Sequence, residues 1–326
     1  MQSYLFLDFR DDYVRMVQGR PMDHSLSIRI ESFGTMELPG FFQVMARRGG
    51  LFQYADEFKA FLRDNKIRAK NVVASFGQSS VLARSARVPA MRPADLASMI
   101  RLEWTEYLPV SPDEYAFDWR VQSQVAEEGR EYYNLLVAGV RHDHVDQVLN
   151  LLAEVRLRPV VFDVYPNAVY ELMRPMWRRN VMVVEIGPTG SRLTIYKQNE
   201  LFVYAELPVK YDMSIGIDME TLKREVGGYL DYFSSRNAGR PVDRLVILGE
   251  ASSRPEIKDD LGYAFGIPTT LGLNGEFNIS FNDGGRNFAS LSGIYGGNLG
   301  MMVRMSRHLP RLEDTSLPRM EGSGRE

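Results

Sequence analysis

Few side chains in this sequence could do chemistry. His142-Asp143-His144 puts two imidazoles at i and i+2 around a carboxylate, where a strand pattern gives way to a helical one. Such a triplet could hold a cation, or Asp143 or His144 could cap the free N–H groups of the helix start. The other histidines, His24 and His308, are remote in sequence, and there is no cysteine. Disulfides, thiolate zinc sites, iron–sulfur clusters and a cysteine nucleophile are therefore excluded, and a zinc site at the triplet is not expected without a third imidazole nearby. The chain has no Gly-x-Ser-x-Gly elbow, Walker loop or His-Glu-x-x-His,. Two acids remain at strand ends. Asp8 lies near the end of the apolar run Tyr4–Phe9, and Glu185 near the end of Val181–Ile186.

These acids occupy equivalent places in a repeat. After Asp8 comes the turn Arg10-Asp11-Asp12, then half-buried strand patterns at Tyr13–Gln18 and Leu26–Ile30,. Glu185 stands 177 residues further on and is followed by the turn Gly187-Pro-Thr-Gly190. Strand patterns at Arg192–Tyr196 and Leu201–Leu207 come next. Each meander leads to a helix and a buried-type strand: Tyr54–Asn65 then Val72–Phe76, and Met219–Ser235 then Leu245–Leu248. Two such copies predict a duplicated α/β protein. The first copy carries extra material, read as strand Val81–Val88, helix Pro93–Tyr107, strands Glu114–Gln122 and Tyr132–Val140, and helix His144–Val155. The expected organisation is a first half over 1–176 with an inserted small α+β subdomain at about 86–160. A second half follows over 177–305, then a disordered polar tail over 306–326.

The duplicated unit with an acid-bearing turn in each hairpin resembles the actin-like nucleotide-binding fold. The insert narrows the resemblance. Arg87–Leu96, Ile100–Glu103, Glu106–Pro109 and Tyr115–Val121, with Val137–Val140, Val160–Pro166 and Phe288–Gly293, are similar to the PilM family, cytoplasmic actin-like proteins of type IV pilus assembly. That fold implies a cleft where the two turns hold nucleotide phosphates and an accompanying magnesium ion. Its candidate residues here are Asp8, Glu185, Gly187, Gly249 and, for the ribose, Glu225. Departures are visible. Arg10 stands where glycine would let backbone amides approach phosphate, Glu185 replaces an aspartate, and Gly249 is followed by Glu250 rather than glycine. Asp8 fits a metal role or a turn cap, and Glu185 fits a solvated strand-end acid. Arg10 fits a phosphate ligand or a partner of Asp11 or Asp12. The expectation is an eroded site, with ATP–magnesium binding weak or absent; the lost glycines argue against efficient hydrolysis, and whether the chain is an enzyme stays open.

The resemblance also implies a partner, a PilN-like bitopic membrane protein held by its cytoplasmic N-terminal tail, with the first meander and the insert as walls. Ile100, Trp104 and Tyr107, spaced along one helix face with Leu96, are candidates for that groove, although such a stripe is also an ordinary core face. Self-association stays open. An active actin-like ATP hydrolase, an FtsA-like filament protein and a type II secretion component are the competing readings. Net charge is −3, from 39 Lys+Arg against 42 Asp+Glu, so attraction to nucleic acid is not expected,. Neither a signal peptide nor a run of ~18 apolar residues occurs. The expected location is cytoplasmic, at the inner membrane through the partner alone.

Overall fold

Strand β1 (Tyr4–Phe9) is buried along its whole length, as befits a strand covered on both faces. It runs antiparallel to β2 (Tyr13–Pro21), which pairs in turn with β3 (Ser27–Glu37). Short α1 (Phe41–Met45) and amphipathic α2 (Gly50–Asp64) then cross to β4 (Asn71–Phe76), parallel to β1. These elements come from a computed structural model that describes residues 2–21, 27–176, 178–198, 200–273, 278–281 and 292–312.

The insert follows β4. Strand β5 (Val81–Pro89) leads to α3 (Pro93–Leu102) and α4 (Trp104–Tyr107), then to the hairpin of β6 (Tyr115–Glu127) and β7 (Arg130–Arg141). The three strands form their own sheet, in the order β5-β7-β6. This sheet opens at Val81 and closes at Arg141, a narrower span than the expected 86–160. Helix α5 (His142–Glu154) buries Val148, Leu151 and Leu152 in the core of the first half. Then β8 (Arg158–Val164) joins the main sheet parallel to β4. The helix expected over Pro93–Tyr107 breaks at Glu103 because Trp104 turns into the insert's core.

Helix α6 (Tyr165–Met173) has every residue buried, the signature of a helix enclosed on all sides. The second half repeats the plan. Strands β9 (Asn180–Ile186), β10 (Ser191–Lys197) and β11 (Glu200–Leu207) form a meander, α7 (Met219–Arg236) crosses, and β12 (Arg244–Gly249) lies parallel to β9. Helix α8 (Pro255–Phe265) and strand β13 (Thr269–Leu271) follow. The second sheet runs β11-β10-β9-β12-β13. The first has the same order, β3-β2-β1-β4-β8, with β14 (Asn278–Phe281) added beside β3. Helix α9 (Gly296–Leu312) packs on α6 and β2. Part of the tail expected to be disordered, up to Leu312, is therefore helical. Residues 313–326, and the segment Phe288–Leu291 of one quoted motif, lie outside the described residues. Among the described residues no helix is long and apolar enough to cross a membrane.

Candidate functional site

The ends of β1 and β9 meet between the two halves, and Arg10 joins them. Its guanidinium donates from Nη1 to Glu185 Oε2 at 2.8 Å and from Nη2 to Glu185 Oε1 at 2.9 Å. On the other side it donates from Nη2 to Asp8 Oδ2 at 2.8 Å and from Nε to the same oxygen at 3.1 Å. The planar fork of arginine makes this double grip possible, where a lysine ammonium would act as one point charge. Ser75, opposite Asp8 on β4, donates its hydroxyl to Asp8 Oδ1 at 2.8 Å. The guanidinium lies 4.1 Å from the ring centre of Tyr165, the first residue of α6.

Arg15 extends the bridge. It stands opposite Asp8 across the β1–β2 hairpin and donates to Glu185 Oε1 at 3.1 Å and to Glu250 at 2.8 and 2.9 Å. Neither guanidinium is exposed to solvent. Small residues frame the cluster. A Cβ on Gly77 would stand 2.9 Å from Arg10 Nε, and one on Gly297 would stand 2.6 Å from Asp8 Oδ2. Gly249, at φ 77°, would put a Cβ 2.4 Å from the Ile186 carbonyl oxygen, so its glycine brings β12 against β9,. Gly187 packs against Glu250 and the Tyr13 hydroxyl. The expected pairing of Arg10 with Asp11 or Asp12 requires correction. Among the described residues Arg10 pairs with Asp8 and Glu185, whereas the adjacent acids serve the local turns. Asp11 accepts from the Ser79 hydroxyl, and Asp12 from the Gly40 N–H. Glu185 is buried rather than solvated, because the fold turns the end of β9 toward the first half.

Burial pushes the Glu185 carboxyl up, but Arg10 and Arg15 outweigh it and hold its pKa below the ordinary 4.5,. Burial also works against the Arg10 charge; Asp8 and Glu185 prevail and raise its pKa. A carboxyl whose pKa falls on folding contributes stability above its unfolded value, lost as pH falls through the folded one. Unfolding free energy should therefore hold steady around neutrality and decline below about pH 4.5. Urea titrations across pH check this, and Glu185→Gln should flatten the acid limb.

The other candidates lie elsewhere. Glu225 is half-exposed on α7 and pairs with Arg224. Ile100 and Trp104 point into the insert's own core with Val88, Leu96 and Leu135, where Trp104 stacks on Phe117 at 4.0 Å. They are walls of nothing accessible; Tyr107 alone stays partly exposed, its hydroxyl donating to Glu103. In the histidine triplet the cap position falls to Arg141, which pairs with Asp143, while His144 stacks on Phe42 and meets the Ser80 hydroxyl. Among the described residues no group of three or more His, Asp or Glu could hold a metal ion.

A second feature lies on the far side of α6, where β8 borders the first sheet and β6 borders the insert's sheet. A cavity of about 340 Å³ separates the two strand edges. Its walls are apolar, including Ala116, Trp119, Ala138 and Phe162, with Asp118, Arg120, Asp163, Asn167 and Arg304 at the rim and floor. Besides the insert, β4, β8, α5, α6 and α9 line it, and no residue of the first meander does. Sequence reasoning missed these residues as lining groups, although Tyr115–Val121 and Val160–Pro166 had singled out the segments that carry several of them.

Two copies of one sheet order, facing across a junction of strand-end acids and flanked by a separate small sheet, define an actin-like protein. A family model described as "Type IV pilus assembly protein PilM" matches residues 7–207, and the chain belongs to that family. Among solved structures, a PilM–PilN type IV pilus biogenesis complex is similar with a TM-score of 0.74 at 18% identity, covering 92% of this chain and 98% of that one. A Bacteroides thetaiotaomicron protein of actin-like ATPase fold gives 0.49 at 10% identity, covering 89% and 95%. The cytoplasmic domain of EpsL from the Vibrio cholerae type II secretion system gives 0.48 at 11% identity, covering 94% and 95%.

Proposed function

We propose that this chain is a scaffold of a type IV pilus assembly machine. It holds the cytoplasmic N-terminal tail of a PilN-like bitopic inner-membrane protein and so sits at the cytoplasmic face of that membrane. The observation that carries the reading is the apolar groove between the edge strands β6 and β8. An extended segment can add main-chain hydrogen bonds along a strand edge while its alternate side chains fill pockets. The structural likeness to a PilM–PilN complex over 92% of the chain supports the same partner class.

The cleft between the halves supports a scaffold rather than a hydrolase. A metal–phosphate group needs free carboxylate oxygens and room for backbone amides. Here Asp8 and Glu185 already hold Arg10 and Arg15, and Gly77 and Gly297 close against the cluster. The residues present do not fit ATP–magnesium. The internal ion pairs instead tie one half to the other, the task a bound nucleotide performs between two such halves.

The test is a titration of the purified chain with a peptide copying the N-terminal cytoplasmic segment of the bitopic membrane protein encoded beside it. Micromolar or tighter binding is expected, with the amides of β6 and β8 protected from hydrogen exchange. Absence of binding, or protection confined to the second half, would overturn the reading.

A further inference from the structure

The groove's polar groups are not balanced. Asp163 is satisfied: Arg304 bridges to it from α9, and Oδ1 accepts from the Val164 N–H and from Asn167 Nδ2, each at 2.8 Å. Arg120 is engaged with Glu171 at 3.4 Å and lies over the Tyr170 ring. Asp118 is different. Its carboxylate accepts one hydrogen bond, from the next residue's N–H, and among the described residues no cation pairs with it. Its residue is exposed at the groove rim. Partial burial of the carboxyl raises its pKa, with Asp163 acting in the same direction and the Trp119 N–H and the Arg304 charge, which is engaged with Asp163, opposing it,.

Asn167 holds an unpaired acceptor of a different kind. Its side chain is 5% exposed and lines the cavity. The bond to Asp163 fixes the amide orientation, because a carboxylate accepts and only the –NH₂ side can donate. Oδ1 is left without a partner. That oxygen is closed off from the groove by its surroundings, so the cost of leaving it unpaired is internal to the fold and no ligand in the groove recovers it,. Of the two carboxylates that line the groove, Asp163 has its cation, and Asp118 has none at ion-pair distance among the described residues.

On the tail-binding reading, on which this rests, we infer that the segment received by the groove carries a lysine or arginine side chain that pairs with Asp118. Apolar anchors on the walls would give the tail affinity, and the cation would set its register and direction. A tail with neutral or acidic side chains throughout leaves the carboxylate facing a drier surface and is rejected.

The probe is the tail peptide described above and a series in which each Lys or Arg is singly replaced by methionine. One replacement should weaken binding to the unaltered chain by about tenfold, or 1.4 kcal/mol, and weaken binding to the Asp118→Asn chain less than about twofold. Equal effects on both chains would overturn the proposal, as would a peptide whose basic residues are all dispensable while Ala116→Trp still blocks it. If Ala116→Trp leaves binding unchanged, the groove reading itself fails and takes this proposal with it. Among the described residues Asp118 makes no hydrogen bond or ion pair beyond its own strand, so Asp118→Asn should keep its melting temperature, which is measured alongside.

Discussion

Arg10→Ala is expected to lower the melting temperature by roughly 10 °C. Removing one partner of a fully buried ion pair typically costs about 3–5 kcal/mol, because the opposite charge is left dry and unpaired. Here two carboxylates lose their guanidinium at once, although Ser75 still donates to Asp8 and Arg15 still reaches Glu185. Each kcal/mol moves the midpoint of a domain this size by about 2–4 °C. Arg10→Lys should fall between, since one ammonium cannot grip both acids in two directions. Thermal unfolding followed by circular dichroism reads the shift; a change under about 2 °C for Arg10→Ala would show that the bridge holds nothing together. Loss of the contact should also loosen the halves against each other, visible as faster hydrogen exchange at the ends of β1 and β9.

Ala116→Trp should weaken binding of the tail peptide at least a hundredfold, about 2.7 kcal/mol. Ala116 lies on β6, is only partly buried, and lines the groove. A large ring there occupies the space that the tail's anchors need, without entering the core behind Leu135 and Trp104. The variant should melt within about 2 °C of the parent, as a partly exposed substitution outside a packed core does. Unchanged affinity in a folded variant would place the tail elsewhere.

The duplicated sheet was legible in the sequence because meander, helix and strand recur in one order, and the acids mark corresponding strand ends. Local periodicity carries that information. Long-range pairing does not. Arg10 is flanked by Asp11 and Asp12, so proximity along the chain points to them, yet its partner Glu185 is 175 residues away. That bond exists because the fold brings two strand ends together, which no local pattern reports. The helical stripe of Leu96, Ile100 and Trp104 was legible as an apolar face. Whether it met the insert's sheet or a partner depended on the position of β7, and β7 lies directly against it. The groove was hidden for a similar reason. An edge strand and a central strand share the same alternation, and only the strand order shows that β6 and β8 are edges,.

The central claim is that this chain holds a membrane protein's tail without help from nucleotide. Calorimetric titration of the tail peptide, with and without saturating ATP–magnesium, tests it most directly. The account predicts the same dissociation constant, within about twofold, in both titrations, and no heat from ATP–magnesium alone. A tenfold or larger shift in peptide affinity on adding the nucleotide, or peptide binding seen only in its presence, would contradict it.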